Sequence, residues 1–289
     1  MDGVFAFLSA WAASAHEALV FTGVSIALAA GAFAGLFAGL RGPRRALREA
    51  RTALPESRLN LALAGFNAAA VAPVLAFLAT GLHALFQAAP GHAALSQFWS
   101  AAPVWTSLAA AVVAGDLTGY WRHRLEHHRF IWPSHAVHHS DQVMTWLTLF
   151  RFHPVNRATT YLIDGAVLAL LGFPAEAVLA NALVRQYYGM VIHARLDWDY
   201  GPLKRVFVSP VMHRWHHAAD RRAFNANYAT VFSIWDQAFG TYFAPGGAPE
   251  RTGVDHPMAP GLAGQLAHPL HAKAYRRSHA ANAAPGEFS

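Results

Sequence analysis

The sequence predicts an all-α integral membrane protein, with about four to five transmembrane or re-entrant helices and a helical cap on the cytoplasmic side. Three observations carry that reading. Hydrophobic residues make up 54% of the 289 residues and charged ones only 13%, outside the balance of ordinary soluble domains. The apolar residues gather in runs of about 20, the length a helix needs to cross a hydrocarbon core. Six arginines gather at 41–58, between the first two of those runs.

Taken in order, the opening MDGVFAFLSAWAASAHEALVF lacks the basic start of a cleaved secretory signal and is read as retained. Runs at 18–40, 60–86 and 101–121 are each long enough to span. A fourth apolar stretch, 158–193, is broken at Gly172, Phe173 and Pro174, which predicts a helical hairpin with a short turn. Its first arm is short, so it is re-entrant or tilted; a buried two-helix core is the soluble alternative. Between the first two runs stand Arg41, Arg44, Arg45, Arg48, Arg51 and Arg58, which the positive-inside bias assigns to the cytoplasm. The loop QAAPGHAALSQFWSAAP, without Lys or Arg, is then external, and the third run returns inward. The expected organisation is membrane helices in 1–100, a second unit in 101–243, and a tail in 244–289 rich in Ala, Pro and Gly. That tail is expected to be peripheral or disordered.

Composition also excludes. There is no cysteine, so disulfides, thiolate metal sites and iron–sulfur clusters are ruled out. A net charge of +6 with arginines beside apolar runs suits anionic lipid headgroups better than nucleic acid, and no nucleic-acid partner is expected.

Of the 18 histidines, eleven lie between residues 123 and 217. His123 and His127 are spaced i, i+4, so on a helix continuing from the third run they share a face. His135, His138 and His139 are spaced i, i+3, i+4, and His213, His216 and His217 repeat that pattern. Eight imidazoles exceed the four to six that one metal accepts, which implies two metals. His128 points off the face of its neighbours and is read as structural, as are His16, His83, His92, His256, His268, His271 and His279, which lie in or near apolar runs, loops or the tail.

These segments resemble the fatty acid hydroxylase and sterol desaturase superfamily of integral-membrane, histidine-rich di-iron oxygenases. DLTGYWRHRLEHH is similar to the family's HxxxH box; HAVHHS and HRWHH are similar to its two HxxHH boxes. RFHP and NYATVFSIWDQAFGTY are similar to its Arg-x-His-Pro element and closing segment. The resemblance implies that 101–243 is a fatty acid hydroxylase-like catalytic domain and that the cap holds a histidine-rich dimetal site. It implies as ligands His123, His127, His135, His138, His139, His213, His216 and His217, with His153 and His193 at positions that also carry histidine in many relatives. The sequence departs from relatives that have a further HxxxH before the last box: Gly189, not histidine, stands four residues ahead of His193.

Implied as well are two iron ions, for which zinc can substitute on isolation, and O2-dependent hydroxylation or desaturation of an unactivated C–H in a fatty acyl chain or sterol within the bilayer. Electrons would come from an external ferredoxin, cytochrome b5-like protein, reductase or pterin, because the chain has no haem-attachment or dinucleotide motif. The expected location is the bacterial inner membrane, with the metals on the cytoplasmic side. Trp121, Trp132, Trp146, Tyr187, Tyr188 and Trp215 either line a substrate path or form an interfacial belt.

Asp116 is costly in an apolar run unless paired or functional. Two readings stand for it: acceptor for a ligand histidine's ring N–H, or partner of Arg122 or Arg151. Asp236 invites the same pair of readings, and Asn225, Asn227 and Tyr228 could cap or position the third box. The rival function is a zinc-dependent membrane hydrolase. Glu126, inside HRLEH, points away from the paired histidines and is poorly placed as its base.

Overall fold

The computed structural model describes residues 2–256 and 258–276; His279, set aside above as structural, lies outside them. The described residues are helical without a strand, and two isolated bridges join Phe207 to Phe232 and Ala218 to Thr252.

The chain opens with α1 (Asp2–Arg41), followed by the short basic α2 (Pro43–Thr52). A second long helix then runs through α3 (Leu54–Phe66), a π turn (Asn67–Val71) and α4 (Ala72–Gln87). Pro73 accounts for the π turn: it has no N–H for the carbonyl four residues earlier, and the widened turn precedes it. Two stretches are long and apolar enough to cross a membrane, Phe7–Arg41 and Leu54–Gln87, each with mean hydropathy 2.0. They present bare apolar surface: Leu28 is 63% exposed and Phe77 71%. Such faces are stable against lipid, not water.

The expected span at 101–121 differs. It forms the upper part of α6 (Val104–Glu126), which buries Asp116, Gly119, Tyr120 and Arg122 and is not apolar enough to count as a span. Its partner is α10 (Ala175–His193), the second arm of the expected hairpin. The first arm is α8 (Pro154–Thr159), a π turn (Thr160–Asp164) and α9 (Gly165–Leu170). The turn falls where the sequence placed it. Gly172 adopts φ +72°, and a side chain there would press on the backbone of α5 (His92–Ala101), the helix inside the loop expected to be external. Trp99 of α5 seals that contact by donating to Leu171 O at 2.9 Å and stacking on Phe173.

α6 and α10 approach closely because Gly115 and Gly119 leave room for the side chains of Asn181 and Arg185. Arg185 donates from Nη1 to Gly115 O at 3.1 Å and to Asp164 Oδ2 at 2.6 Å, so the crossing places a charge pair inside the bundle. Short helices form the cap: α7 (Trp132–His139), α11 (Pro210–His216) and α12 (Ile234–Ala238). Arg151 fastens the cap to α3 through Glu56 at 2.5 Å and Asn60 at 3.2 Å. The segment after 243, expected to be peripheral or disordered, contains α13 (Gly261–Ala267) and α14 (Ala272–Arg276). It docks on the cap, where Ser140 Oγ donates to Gln265 Oε1 at 3.1 Å.

Gly119→Leu should therefore push Arg185 off Asp164 and cost about 3 kcal/mol, by overpacking and by unpairing a buried carboxylate. Gly31→Leu, which has open space around it on α1, should change stability by less than about 0.5 kcal/mol. Thermal midpoints of the two variants in detergent check the contrast.

Candidate metal centre

Nine of the ten histidines expected as ligands converge, in two groups. One holds His123, His127, His135, His139 and His216; the other holds His138, His193, His213 and His217. All nine are buried, and within each group one ring nitrogen per residue lies within 4.8 Å of the others.

Helix geometry explains the partition. His123 and His127 lie one turn apart at the end of α6. In α7 the i, i+4 pair His135 and His139 faces the first group, while His138, about 100° around the helix, faces the second. α11 reverses this, sending His213 and His217 to the second group and His216 to the first. Each HxxHH box thus serves both groups. α11 is fixed at its start by Ser209, whose hydroxyl accepts from Met212 N at 3.1 Å, with Pro210 at the first helical position.

Ring orientation shows what the groups are built for. His123 Nδ1 donates to Tyr228 O at 2.7 Å and His216 Nδ1 to Ala226 O at 2.6 Å. Their Nε2 atoms then carry lone pairs, yet they face each other at 3.0 Å. In the second group His193 Nδ1 donates to Gly189 O at 2.7 Å, and its Nε2 lies 3.0 Å from His213 Nε2 and 3.2 Å from His138 Nε2. His127 Nε2 and both ring nitrogens of His217 are buried without a hydrogen-bond partner among the described residues. Burial pushes the imidazoles of His123, His127, His135, His139 and His217 well below their ordinary pKa, so they are neutral and rich in lone pairs. Facing acceptors repel unless a cation lies between them. A metal bound to imidazole at about 2.0–2.1 Å holds adjacent nitrogens about 3 Å apart. The residues present fit two metal ions.

The outer layer differs from expectation. Asp116 touches no histidine and neither Arg122 nor Arg151. It accepts from Val231 N at 3.0 Å, Phe232 N at 2.8 Å and Trp235 Nε1 at 3.1 Å, with Arg185 at 3.9 Å. Asp236 accepts from Tyr228 N at 2.8 Å, Ala229 N at 3.1 Å and Thr241 Oγ1 at 2.7 Å. Asn227, at φ +60°, bridges Met212 O and Phe243. All three shape the loop whose carbonyls, at Ala226 and Tyr228, receive the ring N–H groups of His216 and His123.

Glu126 does point away from His123 and His127, but it reaches His135. Its Oε2 lies 3.3 Å from His135 Nδ1 and 2.9 Å from Arg122 Nη1, while Thr159 donates to Oε1. Asn156 Nδ2 is also 3.1 Å from His135 Nδ1. Glu126 thus places a carboxylate beside a ligand ring, at ion-pair distance from His135 Nδ1 and without a hydrogen bond to it. The i, i+4 relation of Arg122 to Glu126 was the one signal of it in the sequence.

His153 requires correction. It lies outside both groups, as the N-cap of α8, where Nδ1 accepts from Val155 N at 3.2 Å and Nε2 donates to Leu266 O at 3.1 Å. Both nitrogens are engaged. His128 is exposed, off the ligand face. Of the six aromatics, only Trp132 stands at the site, beside His127 and His139. Trp146 stacks on Phe33, Tyr188 donates to Val208 O, and Trp215 is buried against Phe243; Trp121 and Tyr187 are exposed.

Residues 108–241, which carry every one of these histidines, match the family model for fatty acid hydroxylases. Over these residues the chain is similar to the fatty acid hydroxylase family. It is 33% identical to an ornithine lipid hydroxylase of Rhizobium tropici over 62% of this chain and 55% of that one. Against an alkylglycerol monooxygenase of Danio rerio it is 30% identical, over 55% and 35% of the two chains. The human alkylglycerol monooxygenase is 27% identical over 71% and 45%. The chain thus spans about half the length, or less, of these relatives. No solved structure matches it.

Substitutions should sort by these contacts when metal content is measured. His127→Ala and His193→Ala should each lose metal, whereas His128→Ala and His153→Ala should keep the full complement. Glu126→Gln should weaken binding at the five-histidine group about 10- to 100-fold without abolishing it. Metal loss in His153→Ala would overturn its placement as a helix cap.

Proposed function

We propose that the chain is an integral-membrane di-iron oxygenase that hydroxylates an unactivated C–H of a lipid, using O2 and electrons from an external donor. The observation that carries this reading is the pair of neutral, nitrogen-only cages in which imidazole lone pairs face one another at 3.0–3.2 Å. His123, His127, His135, His139 and His216 would hold one iron and His138, His193, His213 and His217 the other. Iron held there supplies the activation of dioxygen.

The protein's own residues do the rest. Tyr228 O, Ala226 O and Gly189 O hold three rings in the tautomer that leaves Nε2 free, and Glu126 sets a carboxylate beside a fourth. Burial of His138, His193, His213 and His217 keeps water from competing at the four-histidine cage. The two long apolar helices, Phe7–Arg41 and Leu54–Gln87, anchor the chain where lipid substrates reside. The arginines of 41–58 put that end of the bundle, and with it the metals, on the cytoplasmic side of a bacterial inner membrane. A basic surface there suits an acidic ferredoxin, cytochrome b5-like protein or reductase. The relatives' names, an ornithine lipid hydroxylase and alkylglycerol monooxygenases, favour oxygen insertion over desaturation. They also favour it over the hydrolase reading, for which Glu126 is no candidate base, being engaged by Arg122, Thr159 and His135.

Protein purified anaerobically from iron-replete cells should contain about two irons per chain. With a chemical reductant and a membrane lipid extract, it should consume O2 and yield a lipid product heavier by one oxygen atom; the zinc-loaded form should be inert. O2-independent lipid cleavage by the zinc form would overturn the proposal, and so would a single metal per chain.

A further inference from the structure

Away from the two cages, two further histidines meet where the terminal segment crosses the cap. His256 and His268 are both buried, at 9% and 8% exposed, and their rings lie nearly parallel, with 19° between planes and 5.6 Å between centroids. They come from opposite sides of α13, so their spacing in the sequence does not announce the pair.

The Nε2 atom of each ring is buried without a hydrogen-bond partner among the described residues. On His256 the other nitrogen is engaged: Nδ1 donates to Asp255 Oδ1 at 3.0 Å, which leaves the lone pair of the neutral ring on Nε2. A carboxylate behind an imidazole is the arrangement that fixes the ring of a metal ligand. Burial, reinforced by His256, His271 and His153, pushes the His268 imidazole down to about 4, so this ring is neutral too and keeps a lone pair. Two buried, neutral imidazoles with unmet Nε2 atoms cost free energy in a fold unless something joins them.

We propose that His256 and His268 form a third metal site, which takes a divalent transition-metal ion such as zinc on their Nε2 atoms, with Asp255 holding the His256 ring and water completing the coordination. Imidazole is a suitable donor for such an ion. A metal about 2.0–2.1 Å from each Nε2 would sit about 3.2 Å from each ring centroid, so the 5.6 Å between centroids matches an angle of about 120° at the metal, close to tetrahedral. The site does not depend on the reaction carried by the cages. With two protein ligands instead of four or five, and with the Asp255 side chain half-exposed beside it, it binds more weakly than they do and fills only when free metal is supplied. Its effect is on the fold. The chain from 256 to 268 carries α13, which meets the cap through Gln265 and Leu266, and a metal joining its ends closes that stretch on itself.

The test uses the full chain in detergent, purified without a polyhistidine tag, equilibrated with increasing zinc and assayed for bound metal. Wild type should take up one equivalent more than His256→Ala or His268→Ala, and this difference is the measure whatever the cages hold. His128→Ala, which removes an exposed histidine elsewhere, should retain the extra equivalent, and Asp255→Asn should weaken it about 10- to 100-fold. Hydrogen exchange supplies a second readout. At zinc about ten times the dissociation constant of the extra equivalent, amides of residues 258–271 should exchange about tenfold more slowly in wild type and at an unchanged rate in His268→Ala.

Equal zinc uptake by wild type and both alanine variants overturns the site, any surplus then being an adventitious surface ion only. An extra equivalent that is lost in the alanine variants but leaves exchange at 258–271 unchanged in wild type overturns the closure of the terminal segment.

Discussion

Lone pairs that face one another across about 3 Å are the constraint on which the rest of this structure depends. Two acceptors at that distance repel, and burying them removes the water that would otherwise separate them. Left without a cation, the cap would be the least stable part of the fold; with one in each cage, its helices are cross-linked through their histidines. Metal binding and cap folding are then one free energy, as in small metallo-domains whose ligands converge only in the folded state. That coupling accounts for helices as short as α7 and α11, of eight and seven residues, which are too short to persist in isolation.

The cages are held by a chain of alternating buried charges. Glu126 pairs with Arg122, Arg122 with Asp164, Asp164 with Arg185, and Arg185 approaches Asp116. One end orients His135; the other accepts two backbone N–H groups of the loop leading back to Tyr228, the carbonyl partner of His123. Two ligands of one cage are therefore positioned from opposite ends of the same network. Such a chain resists piecemeal change, because removing one member leaves its neighbour charged and buried. The members on α6 lie on its side toward α10 and the π turn at Thr160–Asp164, while Val104, Trp105, Val113 and Trp121 of the same helix are exposed.

The apolar runs and the break at Gly172 to Pro174 made the helices legible, since both follow from local chemistry. The boxes were legible for the same reason: an i, i+4 histidine pair has little use on a helix except to share a ligand. Their division between two cages was not, because 100° between neighbouring side chains sets a direction and only tertiary packing decides what lies there. His153 shows the converse error. A histidine before proline at a helix start can serve as a cap, and here its second nitrogen is taken by Leu266 O from a segment the sequence left unstructured. The carbonyls of Ala226, Tyr228 and Gly189 could not be foreseen, because every residue has one. Asp116 and Asp236 were singled out for the right reason, their cost in apolar surroundings, but they hold the loop that holds the ligands.

Gly189 links the packing of α10 to the smaller cage. A side chain at this position would begin 2.8 Å from Leu149 Cδ1, in the turn Trp146–Phe150 that packs on α10. The glycine carbonyl is also the acceptor that orients His193. A larger residue at 189 would meet the tip of the Leu149 side chain, which would have to turn aside, while the carbonyl that orients His193 stays in place. The two groups also differ in surroundings: His127, His139 and His216 border space open to solvent, and none of the four histidines of the smaller group does so there.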